Sequence, residues 1–526
     1  MARKKNLERA IVLGLILSTG VYGSAWAEGS INNNYDKQFP SSVTIDGGDN
    51  TSAIEITHKT VKITTTNKSD GNITLDSGKY GIHLNGNSTV ILNAAQDNKI
   101  IVTLSSDDAD GINAVNGAGG NITFTARENN TIAATGNGTD GIYTDSNNKT
   151  QITFTAINGS NEITAGNNGI DHRGDNNITL IADNGGNIID AGNAYKKAEG
   201  DGVRIEGNGK VKLDGKYNSI TASDTGLYIH KDSSDNADDN ADIELIAQGT
   251  DEDNNGYGNY IKSIYGSGVQ NDDEKGKITV QADNGSNYIK GKVNAVYNNG
   301  SGNITIQAGQ IDEDGVSTLA DYEGVDNILT AGESGVRSDG TGTTNVIAAN
   351  DNIIAGTTNG ILSNDAGTIK VTAGNDNIIG QYTYTDENGE NHTVTSQSGI
   401  EITKGSVNIT AGYTNDIKAI NHGINIIGEN SSITMNGADN ILTVDSNNGE
   451  GYGISASNGA NVVMNSTGGN NAENGDISIN VSTKLSDSNT TVDFYGVKGT
   501  SSSNIELTAS KNITIKMNVN DEKAKY

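Results

Sequence analysis

The chain contains no cysteine, a single proline and one tryptophan. Without cysteine no disulfide can staple it, so stability has to come from stacking and hydrogen bonding. Proline breaks any interior strand ladder because it lacks an N–H, and the only one, Pro40, precedes the repeats described below. A thiol-free chain also suits export in an unfolded state. Positive charge is scarce: 35 Lys and Arg stand against 65 Asp and Glu, a formal net charge of −30. Such acidity disfavours nucleic acid and anionic membrane surfaces as partners.

With 33% hydrophobic and 5% aromatic residues, composition alone approaches that of disorder. Pattern argues for order. Clusters of Gly, Asn, Asp, Ser and Thr carry turn chemistry, and short runs rich in Ile, Val and Thr between them are strand formers. A glycine followed by Ile, Val or Leu returns about every thirty residues, from Gly81-Ile82, Gly111-Ile112 and Gly141-Ile142 to Gly453-Ile454 and Gly496-Val497. Ala295-Val296 is a degenerate copy.

One repeat reads as three short strands. Gly111 to Val115 is the first, Asn121 to Ala126 the second and Asn130 to Ala134 the third. The second recurs as Gln151 to Ala156, Asn177 to Ala182, Lys277 to Ala282 and Asn303 to Ala308, with apolar residues alternating against Thr or Gln. The third recurs around Asp326-Asn327-Ile328, Asp351-Asn352-Ile353, Asp376-Asn377-Ile378 and Asp439-Asn440-Ile441. These strands predict an all-β chain, a right-handed parallel β-helix with three strands per coil of about 30 residues. Recurrent asparagine at the corners tolerates left-handed backbone and suggests hydrogen-bonded ladders. A propeller fits less well, because its blades have four strands and are aromatic-rich. Extra residues at 249–259, 309–322, 231–240 and 380–397 fall at corners, where they form surface loops that either bind or merely tolerate insertion.

The N-terminus divides from the repeats. Arg3, Lys4, Lys5 and Arg9, then the apolar Ala10 to Tyr22, then Ala25-Trp26-Ala27, fit a signal peptide spanning residues 1–27. A membrane anchor is the other reading, though the apolar stretch is short and carries Gly14, Ser18, Thr19 and Gly20. Residues 28–51 read as a lead-in or cap, 52–519 as the repeats and 520–526 as a polar tail.

Motifs are few. Gly136 to Gly141 matches G-x-G-x-x-G but leads into a strand, so it reads as a corner. Asp107-Asp108 and His422-Gly423 look like parts of a polygalacturonase site, yet lie some ten rungs or roughly 50 Å apart. Asp251 to Gly256 copies half a calcium loop, with Lys262 where the closing acid belongs. Weak cation binding near Asp107, Asp108 and Asp110 or by Asp235 to Asp242 competes with plain solvated turns. No cofactor is indicated. Two candidate ligand sites stand out. Arg173-Gly174-Asp175 is an integrin-type tripeptide in a polar corner, unless Arg173 only decorates the turn. Tyr257, Tyr260 and Tyr265, with Tyr288 and Tyr297, form the densest tyrosine region and suit protein or sugar recognition, unless they cap strand ends.

The signal-like start and the Gly-Ile, Asn-Ile-Thr-x-x-Ala and Asp-Asn-Ile-Ile repeats resemble the passenger regions of bacterial autotransporter adhesins, which have pectin-lyase-like β-helices. The resemblance covers roughly Ser52 to Val519. It implies outer-membrane export, display at the cell surface or secretion, and adhesion, aggregation or biofilm formation through host or bacterial surface proteins or glycans. It also implies a translocating β-barrel, downstream or separate. After Asn512 to Val519 the chain stops at Tyr526, so a fragment or a separate transporter is expected. An adhesin without catalysis is the leading expectation; a β-helical polysaccharide lyase or hydrolase, and a passive surface stalk, are the alternatives.

Overall fold

The computed structural model describes residues 25–28, 31–103, 109–115, 119–192, 200–231, 240–251, 256–309, 325–385, 390–446, 450–468, 475–485 and 494–521. It divides into two compact units, Met1–Asp224 and Thr225–Tyr526. Within each, the described residues fold as a parallel β-helix.

In the first unit the three strands of a coil run Ile112–Val115, Asn121–Ala126 and Asn130–Ala134. We call them the Gly-Ile strand, the alternating strand and the Asn strand. Each pairs in parallel with its equivalents above and below. Ile112 stands between Ile82 and Ile142, Phe124 between Leu92 and Phe154, and Asn130 between Asn98 and Asn161. In-register stacking puts like on like. Ile122, Phe124 and Ala126 are buried while the threonines between them face outward, and the rings of Phe124 and Phe154 stack at 4.5 Å and 3°. The second unit repeats this plan, with Lys277–Ala282 in register between Asp242–Ala247 and Asn303–Ala308.

The corners are less equal than the sequence suggests. Alternating and Asn strands share one continuous sheet, and in Asn177–Ala191 and Lys210–Ala222 they run on without a break. The bend between them is taken up by a register shift near Ala182 and Gly186. Gly186 is needed there because a Cβ would overlap the Tyr217 ring. The array also starts before Ser52: Tyr35–Phe39 pairs with Thr60–Thr65, Val43–Asp46 with Ile73–Ser77, and Ala25–Glu28 with Val43–Asp46. Residues 1–24 of the expected signal peptide lie outside the described residues, as do 522–526 of the tail.

Asn430 and Asn458 take the expected left-handed backbone at corners, but the asparagines that recur from coil to coil do not. They open the Asn strand and point inward, fully buried. In the first unit the Asn98 amide donates to Asn130 Oδ1 at 2.8 Å, Asn130 to Asn161 at 2.8 Å, Asn161 to Asn187 at 2.9 Å and Asn187 to Asn218 at 2.9 Å. In the second the same chain runs from Asn259 through Asn287, Asn327, Asn352, Asn377 and Asn415 to Asn440, with steps of 2.8 to 2.9 Å. The other amide proton is used too. Asn352 donates it to Thr372 O at 2.8 Å and Asn327 to Ile347 O at 2.7 Å, carbonyls at the end of the neighbouring alternating strand. An amide is suited to this because it carries two donors and an acceptor, so one residue type repeats indefinitely.

The residues flanking each asparagine complete a lock. The preceding aspartate accepts from the next rung: Asp326 Oδ1 takes the Asp351 N–H at 3.1 Å and the Asn350 amide at 2.7 Å, and Asp351 Oδ1 takes the Asp376 N–H at 2.9 Å. Two positions after the asparagine, Ile354 and Ile379 place a γ-methyl against Gly335 and Gly360. That contact explains the Gly-Ile signal. None of Gly81, Gly111, Gly141, Gly335 or Gly360 has a positive φ. Instead an added Cβ would lie within 3.0 Å of the isoleucine methyl and of the carbonyl oxygen of the next marker glycine.

Of the four insertions, the one at 380–397 contains an antiparallel strand pair, Gln381–Thr385 with Asn391–Thr395, and its residues 386–389 lie outside the described residues. Residues 232–239, 252–255 and 310–324 lie outside the described residues.

Replacing Asn352 by Ala strands buried partners on both sides and should cost about 2–5 kcal/mol. Gly360→Ala should cost about 1–3 kcal/mol through overpacking, whereas Thr358→Ala at an exposed corner should stay within about 0.5 kcal/mol. Urea unfolding midpoints of the three variants check the order.

Candidate functional site

Two columns of side chains on the first unit enclose a polar groove of about 770 Å³. One column is the outward position of the Gly-Ile strands, where His83, Asn113, Tyr143, Asp171 and Arg204 stack in register. The other is the residue before each marker glycine: Tyr80, Asp110, Asp140, Asn168 and Asp201. Arg173 and Asp224 complete the wall.

The second column has a structural duty. Asp110 Oδ1 accepts the Asp140 N–H at 3.1 Å, Asp140 Oδ1 the Asn168 N–H at 2.9 Å, and Asn168 Oδ1 the Asp201 N–H at 2.8 Å. This places carboxyl groups of successive rungs close together in a largely dry wall. Burial, with the charges of Asp171 and Asp110, raises the Asp140 carboxyl well above its ordinary range against the pull of the Asn168 and Asn167 hydrogen bonds. Burial also raises Asp171, opposed by Arg173, whose Nη2 donates to Asp171 Oδ2 at 2.8 Å. The two acids therefore differ. Asp140 favours the neutral acid, while Asp171 has a guanidinium partner for its charge.

Arg173 is tied into the wall by ion pairs while part of its side chain stays exposed. It also pairs with Glu206 at 3.2 Å and lies 5.4 Å from the centre of the Tyr143 ring. Arg204 pairs with Asp201 at 3.8 Å and contacts Glu206. The Tyr80 and His83 rings stack at 4.8 Å. Groove surfaces of this kind offer ring faces for C–H groups and a dense set of carboxylate, amide and guanidinium groups for hydroxyls. Beneath the floor, His172 is neutral: its Nε2 lies 2.9 Å from Asn176 O and its Nδ1 2.7 Å from Thr144 Oγ1, and burial lowers it to about 4.

The sequence-derived candidates are distributed as follows. Of the tripeptide, Arg173 belongs to the groove, Gly174 is buried with no room for a Cβ beside Asn176 and Asn148, and only Asp175 is exposed. The arginine side chain pairs with Asp171 and Glu206. Tyr257 and Tyr260 lie in the second unit and stack with Tyr288 at 5.0 and 5.4 Å; burial, then the neighbouring tyrosines, pushes Tyr257 up to about 12. Tyr265 lies in an exposed bend. His422 stacks on Tyr452 at 5.1 Å, while Asp107 and Asp108 lie outside the described residues. Among the described residues no three His, Asp or Glu side chains are arranged to hold a metal ion.

Asp140, Asp171, Tyr143, His83 and Arg204 were missed because linear motifs were sought. Their signal is vertical: the residues before and two after each marker glycine, read down the repeats, spell both columns.

Comparison of the chain with protein families, curated proteins and solved structures finds no match.

Because its pKa is raised on folding, Asp140 contributes stability that is present below its unfolded pKa, about 3.9, and lost as pH rises through the folded value. Asp140→Asn keeps the Oδ1 acceptor and removes the charge. The variant should melt a few degrees above the parent at pH 8, with the gap closing towards pH 4. His172 moves stability in the opposite sense, since its lowered pKa makes the fold lose stability as pH falls below about 6.5. It is the same in both proteins and cancels from the difference.

Proposed function

We propose that the chain is an exported, surface-displayed β-helical adhesin that holds a cell-surface glycan in the groove of its first unit. The observation that carries this reading is the pairing of ring faces, Tyr80, His83 and Tyr143, with stacked carboxylate, amide and guanidinium groups in one outward-facing channel. Saccharides present the complementary surfaces: apolar C–H faces and closely spaced hydroxyls. Column geometry also suits a polymer, because side chains project from equivalent positions on successive rungs as sugar units follow one another along a chain. Multiple weak contacts on a rigid frame gain strength through effective concentration. The N-terminal basic and apolar segment supports export, and the resemblance to autotransporter passengers supports display at an outer membrane by a β-barrel translocator.

A second reading is favoured by one feature. A β-helical polysaccharide hydrolase needs a neutral acid and an ionised carboxylate near one substrate. Asp140, held towards its neutral form, lines the same groove as Asp171, which is paired with Arg173.

Purified chain applied to a panel of immobilised glycans should bind a subset, and Tyr143→Ala and Asp171→Asn should each weaken that binding at least about ten-fold. Full binding by both variants would remove the groove from the proposal. Incubation with the bound glycans decides the second reading: new reducing ends that disappear in Asp140→Asn mark a hydrolase, and intact glycans mark a binding protein.

A further inference from the structure

A second cavity, of about 450 Å³, lies on the outside of the second unit beneath the antiparallel strand pair. Its floor is the outward face of successive Asn strands. There Tyr260, Tyr288, Ile328 and Ile353 form one column, and Lys262, Lys290, Thr330 and Ala355 the next. The hairpin of Gln381–Thr385 and Asn391–Thr395 supplies the roof, bringing Tyr382, Tyr384 and Val394 to the lining. The hairpin is held in this position by its root, where the Gly380 N–H donates to Ile354 O at 2.8 Å and the Ser396 N–H to Gly380 O at 2.7 Å.

The lining runs against the rest of the chain in charge. Lys262, Lys290 and Lys292 all border the cavity, and among the described residues none of them has an ion-pair partner. Some lysines elsewhere are answered, Lys212 by Asp214, Lys404 by Asp365 and Lys418 by Asp416, but here three without an ion pair converge on one cavity. Burial, with the like charge of Lys262, lowers the Lys290 ammonium from its usual range, and Lys290 lies 5.7 Å from the Tyr384 ring centre. Inside the cavity Thr330 is 8% exposed, and its Oγ1 has no partner of hydrogen-bond geometry. Thr330 also opposes the rise of the Tyr288 phenol that burial causes. The cavity thus combines unanswered ammonium groups, an orphaned buried hydroxyl and tyrosine rings on floor and roof.

We infer that this cavity binds an acidic sugar, its carboxylate or sulfate against Lys262, Lys290 and Lys292 and its pyranose face against Tyr288, Tyr382 and Tyr384. The volume falls within the roughly 300–1,000 Å³ of small-molecule sites. Ammonium groups on flexible stems meet an anion as point charges, and tyrosine rings stack on sugar C–H faces. A short ligand is favoured over a long polyanion. Within a Debye length of about 8 Å the lysines dominate, whereas an extended anionic chain would run onto the surrounding acidic surface. The site is independent of the groove and stands whether or not the groove binds glycan.

Calorimetric titration of the purified chain tests it with three short oligosaccharides of equal length: a uronate, a sulfated sugar and a neutral one. Binding of either acidic ligand, weakening as salt rises, with the neutral sugar at least about ten-fold poorer, is the expected result. Preference between the first two identifies the anion. The double variant Lys262→Gln/Lys290→Gln should lose the acidic ligand at least about ten-fold, and Tyr384→Ala, on the exposed hairpin, should weaken it while leaving the thermal midpoint unchanged. No binding by either acidic sugar, equal binding of acidic and neutral sugars, or undiminished binding by the lysine double variant overturns the inference.

Discussion

Register between coils is the constraint on which everything else in each unit depends, and the buried asparagine ladder holds it. A strand that slipped by one residue would turn its apolar side chains outward and carry the asparagine out of reach of its neighbours. Buried amides are costly when unpaired, so the ladder penalises any coil out of step. The aspartate before each asparagine fixes the backbone of the next rung, and the isoleucine after it closes against a glycine that cannot be larger. Hydrophobic columns fill the interior, but they tolerate exchange among Ile, Leu, Val and Phe, as at Leu92, Phe124, Phe154 and Leu180. The amide column tolerates nothing so easily.

Much of this was legible in the sequence. The alternation in Asn121–Ala126 and the recurrence of Asp-Asn-Ile name strands to within a residue, because the side-chain period of a strand is short and local. The glycine's role was not legible. Its recurrence marks the coil without saying why, because its requirement comes from an isoleucine about twenty residues away on the Asn strand of the same coil and from the carbonyl of the next marker glycine. The asparagine ladder was expected, but at the corners rather than buried at the start of a strand, since polar residues are buried only where partners exist, and those partners are set by stacking. The groove was hidden for the same reason. Asp140 and Asp171 are neighbours in space only because coils of different length bring them to adjacent rungs.

The large negative charge also takes on meaning. Asp97, Asp326, Asp351 and Asp439 use a carboxylate oxygen to accept backbone N–H groups of the following coil, so much of the acidity is built into corners as hydrogen-bond acceptors. Repetition of one residue at one corner brings like charges into file, and burial with mutual repulsion raises Asp326 and Asp376 above the ordinary carboxylate range. Stability in such a protein is tied to pH through its architecture. A binding surface laid over these columns inherits their spacing and their charge.

The hairpin at 381–395 leaves and rejoins its coil through neighbouring residues, with Gly380 bonded both to the coil beneath and to Ser396 across the gap. The frame is therefore closed at the hairpin's root before the hairpin begins. Such a site works like a socket: an insertion can lengthen, vanish or be exchanged without disturbing the stack that carries it. A lineage of these proteins can then diversify what it grips by trading appendages, while the frame descends almost unaltered.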